Sequence, residues 1–212
     1  MAVLFPQTVL STAYFPPVEY FFAIASSHRV LIDAHENWQK QSYRSRCHIF
    51  SAAGPEVLSI PIERRGAGEK IPIREARIDY GEPWLQRHER AMAAAYNNSA
   101  FFEYYRDEIF AILDRREPFL FDLNMRLLET LLRMAGVKAD IVLTNEWRDD
   151  WGEGDFRNRI QPKWRGDSLL KEHNLEKPYF QVFGPAIRDF IPNLTILDLL
   201  CAEGPEAISF LK

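Results

Sequence analysis

The pattern of hydrophobic and polar positions predicts a strand–helix–strand unit at the start of the chain. Residues 9–12 are predicted to form a first strand, and a turn with two prolines follows them. Four apolar residues within 18–26 then follow the helical spacing i, i+3, i+4, i+7. Residues 28–33 are a second β-branched run. This order favours two parallel strands with a crossover helix packed on one face.

A β-hairpin and a helical segment are predicted next. The hairpin has strands over residues 42–51 and 56–63, separated by the turn sequence Ala-Ala-Gly-Pro. A third β segment is predicted over residues 74–80. Apolar stripes at helical spacing, broken at turn-forming residues, predict helices over residues 83–136.

The last third of the chain is less regular. Residues 141–143 and 179–183 are predicted strands, and residues 146–178, rich in charge, Trp and Gly, are a predicted long loop with a short strand or helix inside. A final helix is predicted over 191–204, with Asn193 as its cap.

Together these elements predict an α/β fold. We expect a mixed sheet with a strand–helix–strand opening, a β-hairpin insertion that widens it, and a helical segment over about residues 83–136. A length of 212 residues makes a single domain over 1–212 the default. Two sub-lobes are the alternative, one built from 1–80 with 138–212 and the other from the helices.

Charge and cysteine content narrow the functional classes. The net charge of −4 lacks the basic field of a protein held on nucleic acid by phosphate contacts, so no nucleic-acid partner is predicted. Cys47 and Cys201 are the only cysteines, too few for a disulfide scaffold. The first residues lack the pattern of a signal peptide, and the most apolar stretch is shorter than the ~20 residues of a membrane span. We therefore expect a cytoplasmic protein without membrane insertion.

Several segments, in their order along the chain, resemble the WbqC-like family of bacterial proteins over nearly the whole length. They include Tyr-Phe-Pro-Pro at 14–17, Tyr-Arg-Ser-Arg at 43–46, Leu-Ser-Ile-Pro-Ile at 58–62, Ile-Asp-Tyr at 78–80 and Ile-Pro-Asn-Leu-Thr at 191–195. The family takes its name from a gene of surface-polysaccharide clusters. The resemblance therefore implies a role in surface-polysaccharide biosynthesis, without specifying a reaction.

The chain departs from the family pattern at four positions. Ser11, Pro17 and Glu19 stand where the family commonly has Gln, Trp and Gly, and Ser45 stands where it has Asn. If the family's residues bind a ligand there, the resemblance implies an altered site in this chain.

A row of basic side chains is the strongest candidate for a binding site. Arg44, Arg46 and His48 alternate along the predicted strand 42–51, which places them on one face. They repel one another unless an anion or an acidic partner lies between them, and arginine binds phosphate or carboxylate with two donors. Tyr43 is a further candidate because it shares the family-like segment. The alternative is an exposed edge-strand face whose charges are solvated or paired with glutamates.

Two other segments could complete an anion site. Tyr14 lies in the loop after the first strand, where open α/β sheets bind ligands, although this loop could equally be an aromatic plug under the first helix. Arg157, Arg159 and Lys163 form a second basic alternation. If that loop folds over the sheet, Arg157 and Lys163 would join the same site, and otherwise they face solvent.

Proton transfer is assigned to histidine. His88 lies on the apolar stripe of its helix and would need an acidic partner to act as a catalyst, for which Asp33 and Glu36 are the candidates. His35, beside them, is an alternative base. The competing interpretation of His88 is a hydrogen-bonded core residue. No metal site and no cofactor are predicted, because Cys47 and His48 point to opposite sides of a strand and no ligand motif occurs.

These residues predict an enzyme acting on an anionic small molecule, such as a nucleotide-sugar, a sugar precursor or a carboxylate. The alternative is a non-catalytic binding or assembly protein that engages a partner through exposed aromatic residues, with Tyr14, Phe15, Tyr104, Tyr105, Trp147 and Trp151 as candidates. The sequence makes no prediction of the oligomeric state.

Overall fold

The computed structural model describes residues 3–64, 66, 68–184 and 190–212. Its elements in chain order are β1 (Phe5–Ser11), α1 (Val18–Ala25), β2 (Ser27–Asp33), β3 (Arg46–Ser51), β4 (Gly54–Ser59), α2 (Trp84–Tyr96), α3 (Phe102–Asp114), α4 (Leu120–Met134), β5 (Ile141–Leu143), α5 (Leu169–Glu172) and α6 (Ile196–Glu203). Two 3₁₀ segments, Ile73–Glu75 and Gly204–Leu211, complete them. The predicted α/β class and the helical segment are confirmed.

A parallel sheet with the strand order β1–β2–β5 forms one part of the molecule. The crossover helix α1 joins β1 to β2, as the opening pattern predicts, and Val18 to Ile24 are all buried. The start of α1 is capped from far along the chain, because the Asn193 side chain accepts a hydrogen bond from the Glu19 amide at 3.0 Å. The predicted short strand at 141–143 is confirmed as β5.

The outer edge of β1 is covered by the long charged loop. The Val9 amide donates to the Gly154 carbonyl at 2.8 Å, and the Phe156 amide donates to the Val9 carbonyl at 3.0 Å. A Cβ at position 154 would lie 1.9 Å from the Gln7 carbonyl oxygen, so only glycine allows this approach. The loop also contains the short helix α5, as predicted.

The hairpin differs from its prediction in three respects, beginning with its second strand, which spans Gly54–Ser59 instead of residues 56–63. The hairpin also forms its own two-stranded antiparallel sheet, β3–β4, so the three-stranded sheet is purely parallel among the described strands. Its first strand begins at Arg46 instead of residue 42. The preceding residues form turns, in which the Ser42 hydroxyl donates to the Gln39 carbonyl and the Ser45 amide to the Ser42 carbonyl. Such local bonds compete with a strand ladder.

Two predicted strands are wrong. Residues 74–80 form a 3₁₀ turn and isolated bridges. The Ile78 amide donates to the Pro118 carbonyl and the Asp79 amide donates to the Pro61 carbonyl, but a proline has no amide with which to continue a strand ladder. Residues 179–183 end in a turn closed by the Gly184 amide on the Gln181 carbonyl.

The final helix is shorter than its prediction. It begins at Ile196, and the Thr195 side chain caps it by accepting from the Leu197 amide. Asn193 has a left-handed backbone with φ of 56° and caps α1 instead. The helix ends at Gly204, as predicted, where φ is 53°.

One hydrophobic core cluster joins the parallel sheet, the hairpin and the helices. Its fully buried large side chains include Trp84, Phe21, Phe22 and Phe102. The helix α2 packs against β3, and α3 packs against α4 and α6. In the described parts of the chain, no helix has both the length and the apolar character that a membrane crossing requires.

Candidate functional site

Polar residues stand at the carboxyl ends of all three parallel strands. Ser11 ends β1, Asp33 ends β2 and Thr144 follows β5. Parallel strands bring these ends to one edge of the sheet, which is where open α/β sheets place their ligands. Two buried ion-pair networks occupy this edge.

The first network joins Arg44 to Glu36. Arg44 is 2% exposed, and its Nε donates to Glu36 Oε1 at 2.9 Å while Nη2 binds the second carboxylate oxygen. The Ser11 hydroxyl accepts from Arg44 at 2.7 Å and donates to Glu36 at 2.8 Å. Gln39 accepts a longer bond, 3.4 Å, from Nη1. Burial raises the pKa of Glu36, and the charge and hydrogen bonds of Arg44 oppose that rise.

The second network joins Arg157 to Asp33 and Asp155. Asp33 is fully buried and accepts from Arg157 Nη1 at 2.5 Å and from the Thr144 hydroxyl at 3.1 Å. Asp155 accepts from Arg157 Nε at 2.9 Å and from Nη2 at 2.6 Å. Burial alone would lower the pKa of Arg157, but the hydrogen bonds and charges of the two aspartates raise it.

These networks revise the predicted basic row. Arg44 is not on the strand beside Arg46, because it lies in the turn before β3 and faces Glu36. Arg157 reaches the sheet edge, as the folded-over loop predicts, but its donors are used by carboxylates and by the backbone carbonyls of the preceding loop. Lys163 is exposed. Arg44 and Arg157 are therefore neutralised.

Three neighbouring side chains on or next to the hairpin, those of Tyr43, Arg46 and His48, have no such acidic partners among the described residues. Arg46 and His48 share the half-buried face of β3, while Cys47 between them is buried in the core. The Tyr43 ring lies 5.6 Å from the His48 ring. Among the described residues, none of the three side chains has a hydrogen-bond or ion-pair partner.

The electrostatics of this group, called the Arg46 face below, follow from burial and charge. Burial lowers the pKa of His48, and the adjacent Arg46 charge lowers it further, so the imidazole is neutral at neutral pH. Burial raises the pKa of Tyr43, so its hydroxyl keeps its proton. The Arg46 face thus presents one fixed cation, one hydroxyl donor and one neutral base.

His88 and Tyr14 form a buried pair. The Tyr14 hydroxyl and His88 Nδ1 are 2.9 Å apart, and the imidazole also hydrogen-bonds the Ser59 backbone. Burial lowers the pKa of His88 to about 4. The imidazole partners described are a tyrosine and a backbone group, so Asp33 and Glu36 do not serve as its acidic partners. This arrangement matches the core interpretation, with Tyr14 as part of the aromatic plug.

His35 lies at the sheet edge but stands apart from His88. It is exposed, and its amide donates to Asp33 Oδ1 at 2.9 Å. A cavity of about 10 Å³ lies between Tyr20, Tyr43 and Arg44 and is also lined by Thr12, whose buried hydroxyl has no hydrogen-bond partner among the described residues. A space of this size fits one water molecule.

Several polar residues of these networks were missed by the sequence analysis. Thr144 and Asp155 are examples, and the signal that could have identified Thr144 is its place directly after a short apolar strand.

Two more buried carboxylates form hydrogen bonds that hold the last part of the chain in place. Glu19 accepts from Asn193 at 2.7 Å and from the first amide of α5. Asp198 accepts from the Tyr179 hydroxyl and the Gln181 amide, both at 2.8 Å.

In the described ranges, no group of three or more His, Cys, Asp or Glu side chains is arranged to hold a metal ion. Burial raises the pKa of Cys47, so its sulfur is a protonated thiol in the core.

Two departures from the family pattern have structural roles, since Ser11 lies in the Arg44 network and Glu19 binds the start of α5.

Comparison with known proteins identifies the family. The family model described as the WbqC-like protein family matches residues 12–173, which is most of the chain and includes β2, β5, the hairpin and α1 to α5. No curated protein and no solved structure matches the chain. The resemblance seen in the sequence is confirmed, and the chain belongs to the WbqC-like protein family.

Proposed function

We propose that this protein is an enzyme that binds an anionic small molecule on the Arg46 face. The observation that carries the proposal is the contrast between its arginines. Arg44 and Arg157 are buried and bound to carboxylates, whereas Arg46 is half-buried beside His48 with no acidic partner among the described residues. An anion supplied by a ligand would complete this group.

The chemistry of the face favours phosphate or carboxylate. The Arg46 guanidinium can donate two parallel hydrogen bonds to either group, and the Tyr43 hydroxyl can donate a third. A bound anion also removes the repulsion between Arg46 and a protonated His48. In keeping with the family's name, the proposed substrates are a nucleotide-sugar, a sugar phosphate or a sugar carboxylate used in surface-polysaccharide biosynthesis.

The proposed proton-transfer group is His48. Its lowered pKa keeps it neutral and able to accept a proton from a substrate hydroxyl, and the charge of a bound anion raises that pKa toward neutrality. His88 is a weaker candidate, because its ring is buried against Tyr14 and Ser59. His35, exposed beside Asp33, is the alternative base.

Thermal unfolding with and without anions tests the proposal. The parent protein is heated with sulfate, phosphate, sugar phosphates and nucleotide-sugars, and a ligand at one hundred times its Kd adds about 2.7 kcal/mol of stability. Arg46→Gln should abolish this stabilisation. The matched control is Arg29→Gln, since Arg29 is an exposed strand arginine away from the hairpin. Equal anion responses in the parent and Arg46→Gln would refute the anion site.

A binding or assembly role is the second candidate function. It is favoured by the exposure of Tyr104, Trp147, Trp164 and Phe180, each at least 47% exposed. Tyr14 and Phe15, by contrast, are buried and cannot contact a partner. This candidate predicts that anions leave the melting temperature unchanged.

A further inference from the structure

The outer edge of β5 and the neighbouring face of α4 form an open surface. Two grooves run along it, of about 800 Å³ and 510 Å³, and both are lined by Met125, Glu129 and Ile141. Leu143, which is 36% exposed, lines the second.

Within the described part of the chain, the outer edge of β5 leaves backbone groups without partners. Among the described strands β5 has β2 as its neighbour on one side. The Asp140 carbonyl and the Thr144 amide form hydrogen bonds with β2. Because the backbone groups of successive residues in a strand point to opposite sides, the amides and carbonyls of Ile141 and Leu143 point outward. An exposed apolar edge of this kind pairs readily with another strand.

The charges on α4 indicate what pairs with it. Asp122, Arg126, Glu129 and Arg133 follow one another at spacings of 4, 3 and 4, which puts them on one helix face with alternating signs. They are also symmetric about the middle of the helix. In an antiparallel pair of α4 helices, Asp122 therefore faces the partner's Arg133, and Arg126 faces the partner's Glu129.

We propose that a second copy of this chain docks on this surface, with β5 antiparallel to β5 and α4 antiparallel to α4. A single two-fold axis perpendicular to the sheet creates both pairings, because it keeps both α4 helices on the same side. The outward groups of Ile141 then bond those of the partner's Leu143, and the sheet continues across the dimer.

The existing contacts of α4 leave room for this. Its two acidic residues have no hydrogen-bond or ion-pair partner among the described residues. Its two arginines bind Glu117 and Glu108 within the chain, and both pairs are partly exposed. Exposed pairs of this kind contribute little and can be extended or exchanged when the partner arrives.

Sedimentation of the full chain over a wide range of concentrations tests the proposal. The parent should approach twice the monomer mass of 24.7 kDa as concentration rises. Leu143→Lys should weaken the dimer about tenfold or more by placing a charge at the apolar edge. Val57→Lys is the matched control, because Val57 is 50% exposed on β4 in the other sheet, and it should leave the dimer intact.

Charge reversal separates the proposed pairing from damage to the fold. Arg126→Glu places glutamates opposite each other, and Glu129→Arg does the same with arginines, so each variant alone should be monomeric. Mixed together, the two variants should form a heterodimer, and the double variant Arg126→Glu/Glu129→Arg should dimerise again. A parent that stays monomeric at every concentration, or a mixture that fails to associate, would overturn the proposal.

Discussion

Replacing Arg44 by glutamine is expected to destabilise the protein strongly. The guanidinium is buried and makes two hydrogen bonds to Glu36 and one to Ser11. Removing it leaves the Glu36 carboxylate buried with the Ser11 hydroxyl as its main remaining donor. Breaking a buried pair from one side costs about 3–5 kcal/mol. The same change at the half-exposed Arg46, which has no such partner among the described residues, should cost no more than about 0.5 kcal/mol.

The cost at Arg44 should depend on pH. Without the arginine, the Ser11 hydrogen bond alone opposes the burial that raises the pKa of Glu36, so the folded state holds a proton that the unfolded state releases. Stability is then present at low pH and lost as the pH rises through the folded-state pKa. The difference in unfolding free energy between the parent and Arg44→Gln should therefore shrink from neutral to mildly acidic pH.

Urea unfolding at these two pH values measures both effects. The double variant Glu36→Gln/Arg44→Met tests the pairing, because replacing a whole buried pair costs less than breaking it from one side. It should be more stable than Arg44→Gln. Equal losses for Arg44→Gln and Arg46→Gln, or a cost at Arg44 that does not change with pH, would refute this reasoning.

Three further predictions concern stability, each measured by urea unfolding. Gly154→Ala should destabilise by about 1–3 kcal/mol, because its Cβ would strike the Gln7 carbonyl and push the loop off β1; an unchanged midpoint would contradict this packing. Tyr14→Phe should cost about 1–3 kcal/mol by leaving His88 Nδ1 buried without its hydrogen-bond partner. Burial raises the pKa of Asp198 to about 6, so the parent loses on the order of 2–3 kcal/mol between pH 4 and 7, a loss that Asp198→Asn should lack.

Short-range sequence patterns were sufficient to predict the elements that form mainly through residues close together in the chain. The crossover unit and β5 follow from short apolar runs and helical spacing, and α4 follows from its apolar stripe. The predicted strand over 74–80 does not form, because the segments that lie beside it in the fold contain Pro61 and Pro118, which have no amide to donate to it. Asn193 shows the same limit, since it caps a helix that lies far before it in the chain.

The site shows why charge patterns mislead without a fold. Alternation predicted Arg44 on the same face as Arg46, but the serines around it form turns that redirect it to Glu36. Nothing local links Arg157 to Asp33, which lies 124 positions earlier, or indicates that the pair is buried. The sequence could therefore nominate the basic residues but not separate the neutralised ones from Arg46.

The most direct test of the anion site is the titration of His48, followed by NMR of its ring nitrogens with and without sulfate. In the free protein its pKa should lie below 6.5, because burial and Arg46 disfavour the charged form. Bound sulfate should raise that pKa in the parent and leave it unchanged in Arg46→Gln. A His48 pKa that does not respond to sulfate, or that rises equally in Arg46→Gln, would contradict an anion site on the Arg46 face.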